Sequence, residues 1–239
     1  MSIYKINNIA DLLKDNSYVG RGIVIGKTED STKAVIAYFI MGRSENSRNR
    51  IFTEKDNEVT IYPFDSSKVE DPSLIIYSPI RVINDSLIVT NGDQTDTIYD
   101  FIKDGKSFEE ALDTRKFEPD SPNFTPRISG IVNFDDSDFK YKLSILKSID
   151  EVGSDSARYT FSYPSKNGLG HFIHTYNCDG NPIPTFTGEP ERVSISNNID
   201  EFTNLIWDNL DENNKISLYV RYVDLNTKKI QNRLINKNK

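Results

Sequence analysis

The sequence predicts an α+β protein built mainly from antiparallel sheets. Two observations carry that prediction. Runs rich in β-branched and aromatic residues come in pairs joined by short polar turns, and helix-patterned segments are gathered in blocks instead of alternating with strands. From the N-terminus, NNIADLLKD (7–15) reads as a short helix capped by Asn7 or Asn8. RGIVIG and KAVIAYFIMG follow as two strands around KTEDST. RIFTE and EVTIYPF flank KDN as a second hairpin, and SLIIYSPIRV and SLIVTNG flank IND as a third. Residues 95–103 and 107–115 then carry helical spacing, with Gly105 as the break between them.

After the Pro-rich loop EPDSPNFTP the chain returns to strand in RISGIVNF, YKLSILKSI, ARYTFSYP and GHFIHTYN. Residues 199–210 place Ile199, Phe202, Leu205, Ile206 and Leu210 on one helical face. The tail KISLYVRYVDLNTKKIQNRLI reads as a last strand pair. No repeat or low-complexity linker divides the chain, so a single domain over 1–239 is expected.

Composition narrows the function classes. The 239 residues carry 29 Lys+Arg against 36 Asp+Glu, for a net charge of −7. No apolar run is long enough to span a membrane, and the first residues lack a signal-peptide pattern, so a cytoplasmic protein is expected. One cysteine, Cys178, leaves no partner for an internal disulfide. The two histidines, His171 and His174, fall on opposite faces of a strand, so no metal site and no cofactor are expected. A broad basic face, which a nucleic acid needs, is absent in an acidic chain. Residues 1–52 nonetheless hold eight Lys/Arg against five Asp/Glu. A local basic spot in an acidic body suits a small anion.

That spot centres on YFIMGRSENSRNR (38–50), where Arg43, Arg48 and Arg50 sit among Ser44, Asn46, Ser47 and Asn49. Arg48 and Arg50, two apart, would share one face of a strand, and arginine grips phosphate bidentately. A solvated loop facing surface acids is the competing reading. Gly20, Arg21 and Gly22 form a strand start at which a backbone can approach a ligand. Asn91–Gly92 signals a turn, with Asp93 or Thr95 as the cap of the next helix. Arg127 lies between Pro126 and a strand.

Taken together, GRGIVIG, GRSENSRNR, NGDQTD, TPRISG and GHFIHTYNCDGNP resemble the archaeal-type IMP cyclohydrolase family and its bacterial relatives. The motifs run from residue 20 to about 190. The resemblance implies an αββα sandwich like that of N-terminal-nucleophile hydrolases. It implies a cofactor-independent hydrolase of purine biosynthesis that acts on a cyclic amidine C–N bond. Its reaction closes 5-formamidoimidazole-4-carboxamide ribonucleotide to IMP with loss of water. The implied partner is a purine nucleoside monophosphate, with no nucleic acid or membrane, and self-association is left open. Matching motif positions imply Arg21, Arg43, Ser44, Asn49, Arg50, Gly92, Thr95 and Thr125 as substrate-binding residues; ENSR is a departure from the family's shorter pattern.

For the chemistry this reaction needs, Arg127 is the candidate oxyanion or base-edge donor and Asp96 the candidate base, with Asn91 as an orienting amide. Tyr62 or His171 would supply the dehydration proton. Two other readings stand beside this one. The first is an amide hydrolase using Ser2 as an N-terminal nucleophile; the second is a non-catalytic purine-nucleotide binder.

Overall fold

The computed structural model describes residues 4–69, 76–135 and 138–238. Ser2 lies outside them, as do the first residues of SLIIYSPIRV. Most of the expected elements form, arranged as two antiparallel sheets with helices on their outer faces.

The six-stranded sheet contains β1 (Arg21–Lys27), β2 (Lys33–Met41), β10 (Leu169–His174), β11 (Glu191–Ser194), β12 (Lys215–Asp224) and β13 (Ile230–Asn236), in the order β11-β10-β1-β2-β12-β13. The seven-stranded sheet runs in near-sequential order, β3-β4-β5-β6-β7-β8-β9. Its strands are β3 (Ile51–Lys55), β4 (Glu58–Tyr62), β5 (Tyr77–Ile83), β6 (Ser86–Thr90), β7 (Arg127–Phe134), β8 (Phe139–Ser148) and β9 (Ser156–Pro164). Helices α1 (Ile9–Leu13) and α5 (Ile199–Trp207) cover the first sheet, and α3 (Gln94–Lys103) and α4 (Phe108–Asp113) cover the second.

The period-two alternation of strands sorts each side chain to a layer. On β1, Ile23 and Ile25 face the inter-sheet core beside Ile80, Val89, Ile128 and Leu143. Val24 between them faces outward, onto the layer that holds Ile9, Ile199 and Phe202. Covered on both faces, β1 and β2 are apolar almost throughout, which is why they read so clearly in the sequence. Burying a side chain such as Phe202 contributes about 1.5–3 kcal/mol.

Local signals set the helix ends. Asn8 caps α1, Ser107 and Glu110 form a capping box on α4, and Asn198 accepts from the backbone of Asp200 and Glu201 at the start of α5. Two elements depart from the expectation. The short edge strand β11 was not anticipated. In the arginine stretch, Ser44 accepts from the Ser47 backbone N–H at 3.1 Å and caps a helical turn, α2 (Glu45–Arg48), where strand was expected.

Candidate functional site

Helix-turn geometry separates the two arginines that strand spacing would have aligned. Arg48 ends α2 exposed, donating from Nε to Gly42 O at 3.1 Å and from its terminal nitrogen to Asn214 Oδ1 at 2.9 Å. Arg50, just before β3, turns the other way, into a cleft of about 620 Å³ at one end of the sandwich. Both sheets furnish this cleft. Its lining includes Arg21 at the head of β1, Arg50, Tyr77 at the head of β5, Asn91–Asp93 after β6, Glu118 and Asp120 from the α4–β7 loop, and Arg127 at the head of β7.

The unusual feature is electrostatic. Arg21, Arg50 and Arg127 each bury an Nε that has no hydrogen-bond partner. Among the described residues Arg21 and Arg50 also make no ion pair within 4.0 Å. Burial lowers the Arg50 pKa and the charge of Arg21 lowers it further, whereas at Arg21 burial is outweighed by Tyr18, Glu118, Tyr77 and Tyr176, which raise it, so the strain of holding two guanidiniums falls on Arg50. Such a pair is stabilised by a bound dianion.

Arg127 is held more firmly: one terminal nitrogen donates at 2.7 Å to both Asp93 Oδ1 and Gln94 Oε1. Asp93 begins α3 but makes no side-chain cap bond. Its other oxygen takes Arg115 at 2.5 Å. Burial would raise the Asp93 carboxyl, but Arg115 and Arg127 outweigh it and hold the group below its usual range. Gly92 makes this packing possible, since a Cβ there would lie 2.5 Å from the Arg127 terminal nitrogen.

Glu118 is the cleft's unengaged acid. Its backbone N–H donates to Thr125 O at 2.9 Å, while among the described residues its carboxylate has no hydrogen-bond partner and no ion pair within 4.0 Å. Burial pushes its pKa up, against the opposing pull of Arg21, Arg127 and Arg50. Tyr77 donates to Asn91 O at 2.8 Å and lies 3.3 Å from the Tyr38 hydroxyl. Its phenol is likewise pushed up by burial, with Arg50 and Arg21 pulling the other way.

Of the residues singled out in the sequence, Arg21, Arg50, Asn91, Gly92 and Arg127 come together on the cleft wall. Thr95 and Thr125 stand one bond behind it. Thr95 Oγ1 reaches Gly92 O at 3.0 Å, and Thr125 holds Asp120 while meeting the Tyr176 hydroxyl at 2.6 Å. Asn91 contributes backbone only. Its side-chain oxygen accepts from the Ile128 N–H at 2.9 Å and from Gln94, and its nitrogen donates to Pro126 O, so it orients no catalytic acid.

The remaining candidates do not line this cleft. Arg43 faces away, paired with Asp179 and donating to Gly180 O at 2.9 Å, its guanidinium 5.2 Å from the Tyr18 ring centroid. Ser44 is the α2 cap, and Asn49 clasps the backbone of Asp65 through both ends of its amide. Asp96, three residues along α3 from Asp93 on the cleft wall, pairs with Arg81 at 2.9 Å. Tyr62 is exposed because Val59 and Ile61 occupy the inward positions of β4. His171 is buried elsewhere in the sandwich. Its Nδ1 lies 2.6 Å from the Tyr141 hydroxyl, its ring stacks on Tyr163, and burial lowers its pKa to about 4.

Sequence reasoning missed Tyr77, Asp93 as an arginine holder, Asp120 and Glu118. Tyr77 reads as an ordinary strand aromatic and Asp93 as a cap. The one available signal for Glu118 was two acids, Glu118 and Asp120, in the loop just ahead of Arg127. Among the described residues no group of three His, Cys, Asp or Glu is placed to hold a metal ion, and no helix is long and apolar enough to cross a membrane.

Comparison with known proteins adds a family. The model of the IMP cyclohydrolase-like protein family matches residues 18–229. A protein named IMP cyclohydrolase from Methanococcus aeolicus is 30% identical over 165 residues, covering 67% of this chain and 75% of the relative. Another of that name from Methanocaldococcus jannaschii is 30% identical over 177 residues, covering 72% and 81%. One from Methanococcus maripaludis is 34% identical over 163 residues, covering 65% and 79%.

Proposed function

Since the chain belongs to the IMP cyclohydrolase-like family, we propose that it closes 5-formamidoimidazole-4-carboxamide ribonucleotide to IMP with loss of water, as a single-domain cytoplasmic enzyme. The observation that carries this reading is the pair of unpartnered guanidiniums, Arg21 and Arg50, in one cleft with an unengaged, elevated carboxyl, Glu118. The arginines take the substrate's phosphate. Two charge-assisted hydrogen bonds return about 1.5–3 kcal/mol each, which offsets the burial the unliganded site bears.

The reacting groups already lie on one imidazole ring, so the first task of the cleft is to hold the carboxamide nitrogen against the formyl carbon. As the C–N bond forms, the carbonyl π electrons move to the formyl oxygen and the nitrogen releases a proton. Glu118 accepts that proton. Arg127, fixed by Asp93 and Gln94, stabilises the developing oxyanion with the donors it has left. The oxyanion is protonated to a carbinol. The carbinol oxygen then leaves as water, taking a proton from Glu118, while the former formamide nitrogen releases its N–H proton to cleft water as the C=N bond forms, which balances the proton the oxyanion took from that water. A carboxyl lifted above its usual range suits both halves of this cycle better than a surface acid does.

The test is Glu118→Gln, which keeps the shape and removes the base. Turnover should fall by about 10²–10⁴-fold, the usual worth of general acid–base catalysis. IMP affinity should stay equal or rise, because a negative charge near the phosphate is gone. A variant with parental kcat would remove Glu118 from the chemistry.

A further inference from the structure

Four strands end the two sheets, and three of those edges are closed. At β11, the backbone of Asn7 donates to Arg192 O at 2.8 Å and accepts from Ser194 N–H at 2.9 Å. The neighbouring edges β3 and β13 are tied to each other, because the Asn236 side chain accepts from Phe52 N–H and donates to Phe52 O, both at 2.9 Å. The fourth edge, β9, is nine residues long, pairs with β8 in unbroken register, and carries neither lysine nor an internal proline or bulge. Among the described residues nothing pairs with its outer side. Soluble proteins usually blunt such an edge.

Hydrogen-bond parity shows what the edge offers. Ile149 N–H donates to Asp155 O, and Ser165 N–H donates to Phe139 O, at the two ends of the β8–β9 ladder. Odd-numbered residues of β9 therefore bond inward to β8, and even-numbered ones present N–H and C=O outward. At one end, Ser156 is already satisfied: its N–H donates to Asp155 Oδ1 at 2.7 Å and its carbonyl accepts from Arg158 at 3.3 Å. At the other end Pro164 has no N–H to give. The open stretch is thus Arg158–Thr160–Ser162, which is symmetric about Thr160.

We propose that β9 pairs antiparallel with β9 of a second copy of this chain across a two-fold axis at Thr160. A two-fold interface must be self-complementary, and this edge is. Thr160 exchanges both backbone bonds with its own copy, and Arg158 does so with Ser162. Tyr159, now 48% exposed, meets Phe161 of the second copy in a close, non-hydrogen-bonded pair of the kind that stabilises sheets. The same register sets Asp155 opposite Ser165. The acidic turn holding Asp150, Glu151 and Asp155 then lies beside Lys166 of the second copy.

Sedimentation equilibrium on the full chain tests this independently of the enzymatic reading. The parent should have twice the 27.3 kDa chain mass. Thr160→Pro removes only an outward-facing N–H, and Thr160→Lys places two like charges across the axis. Both should sediment as monomers while keeping the parental circular-dichroism spectrum. Should the proline variant fail to fold, the lysine variant decides. A parent that is monomeric at about 0.1 mM, too weak for a specific assembly, overturns the proposal; so does a folded lysine variant that remains dimeric. An edge that serves a foreign peptide strand instead would give the first of those two results.

Discussion

Replacing Arg50 by Met should make the unliganded protein more stable and the liganded one far weaker. Arg50 is buried at Nε without a partner, and Arg21 stands close enough to depress its pKa further. Removing one of two buried like charges relieves a desolvation penalty of several kcal/mol per ion. Part of the guanidinium reaches the water of the cleft, so a gain of about 1–3 kcal/mol is the realistic expectation. For a chain of this size 1 kcal/mol moves Tm by about 2–4 °C, which predicts a rise of about 2–12 °C. The cost appears on binding. Two charge-assisted bonds to phosphate, at about 1.5–3 kcal/mol each, amount to about 10²–10⁴-fold in Kd for IMP. Calorimetric titration with IMP and thermal melts without it read the two halves separately. Parental affinity in Arg50→Met refutes the phosphate site. A Tm that falls by several degrees refutes the claim that the empty site is frustrated.

Other substitutions separate the cleft from its surroundings. Arg43→Ala, whose side chain is spent on Asp179 and Gly180, should keep IMP affinity within about threefold, under 1 kcal/mol. Asp96→Asn should likewise keep turnover within about threefold, since that carboxylate serves an exposed pair with Arg81. A large loss of function in either returns that residue to the site. The buried histidines predict acid sensitivity. Burial holds His171 and His174 at about 4 in the folded chain, against an ordinary 6.5. The unfolded chain therefore binds protons first as pH falls. Their stabilising effect is full above 6.5 and is lost as pH drops toward 4. Between pH 7 and pH 4.5 each should cost about 2.5 kcal/mol of unfolding free energy, measurable by urea titration. Equal stability at the two pH values contradicts the burial of these rings in neutral form.

What the sequence revealed follows from which signals are local. Strand pairs such as β1–β2 were legible because covering on both faces makes every position apolar and their turn is short and polar. The cap of α1 was legible because a cap acts within three residues. β11 was invisible: four residues held by Asn7 from the far end of the chain have no local pattern. The site divided in the same way. Arg21, Gly92 and Arg127 sit where a strand or turn begins, and their neighbours announce that. Arg43 and Arg50 look equivalent in the sequence, and only the Ser44-capped turn sends one outward and the other into the cleft. Glu118 becomes important through its proximity to Arg21 and Arg50, which precede it by 97 and 68 residues and so share no local window of sequence with it.

The central claim is that this cleft performs ring closure. Its most direct test follows the hypoxanthine chromophore by ultraviolet absorbance while the purified, EDTA-treated chain is incubated with the formamido ribonucleotide. The account predicts IMP formation that scales with enzyme, survives chelation and is lost in Glu118→Gln. A chain that binds IMP at Arg21 and Arg50 yet produces no hypoxanthine signal would be a nucleotide-binding protein without this chemistry, and would contradict the claim.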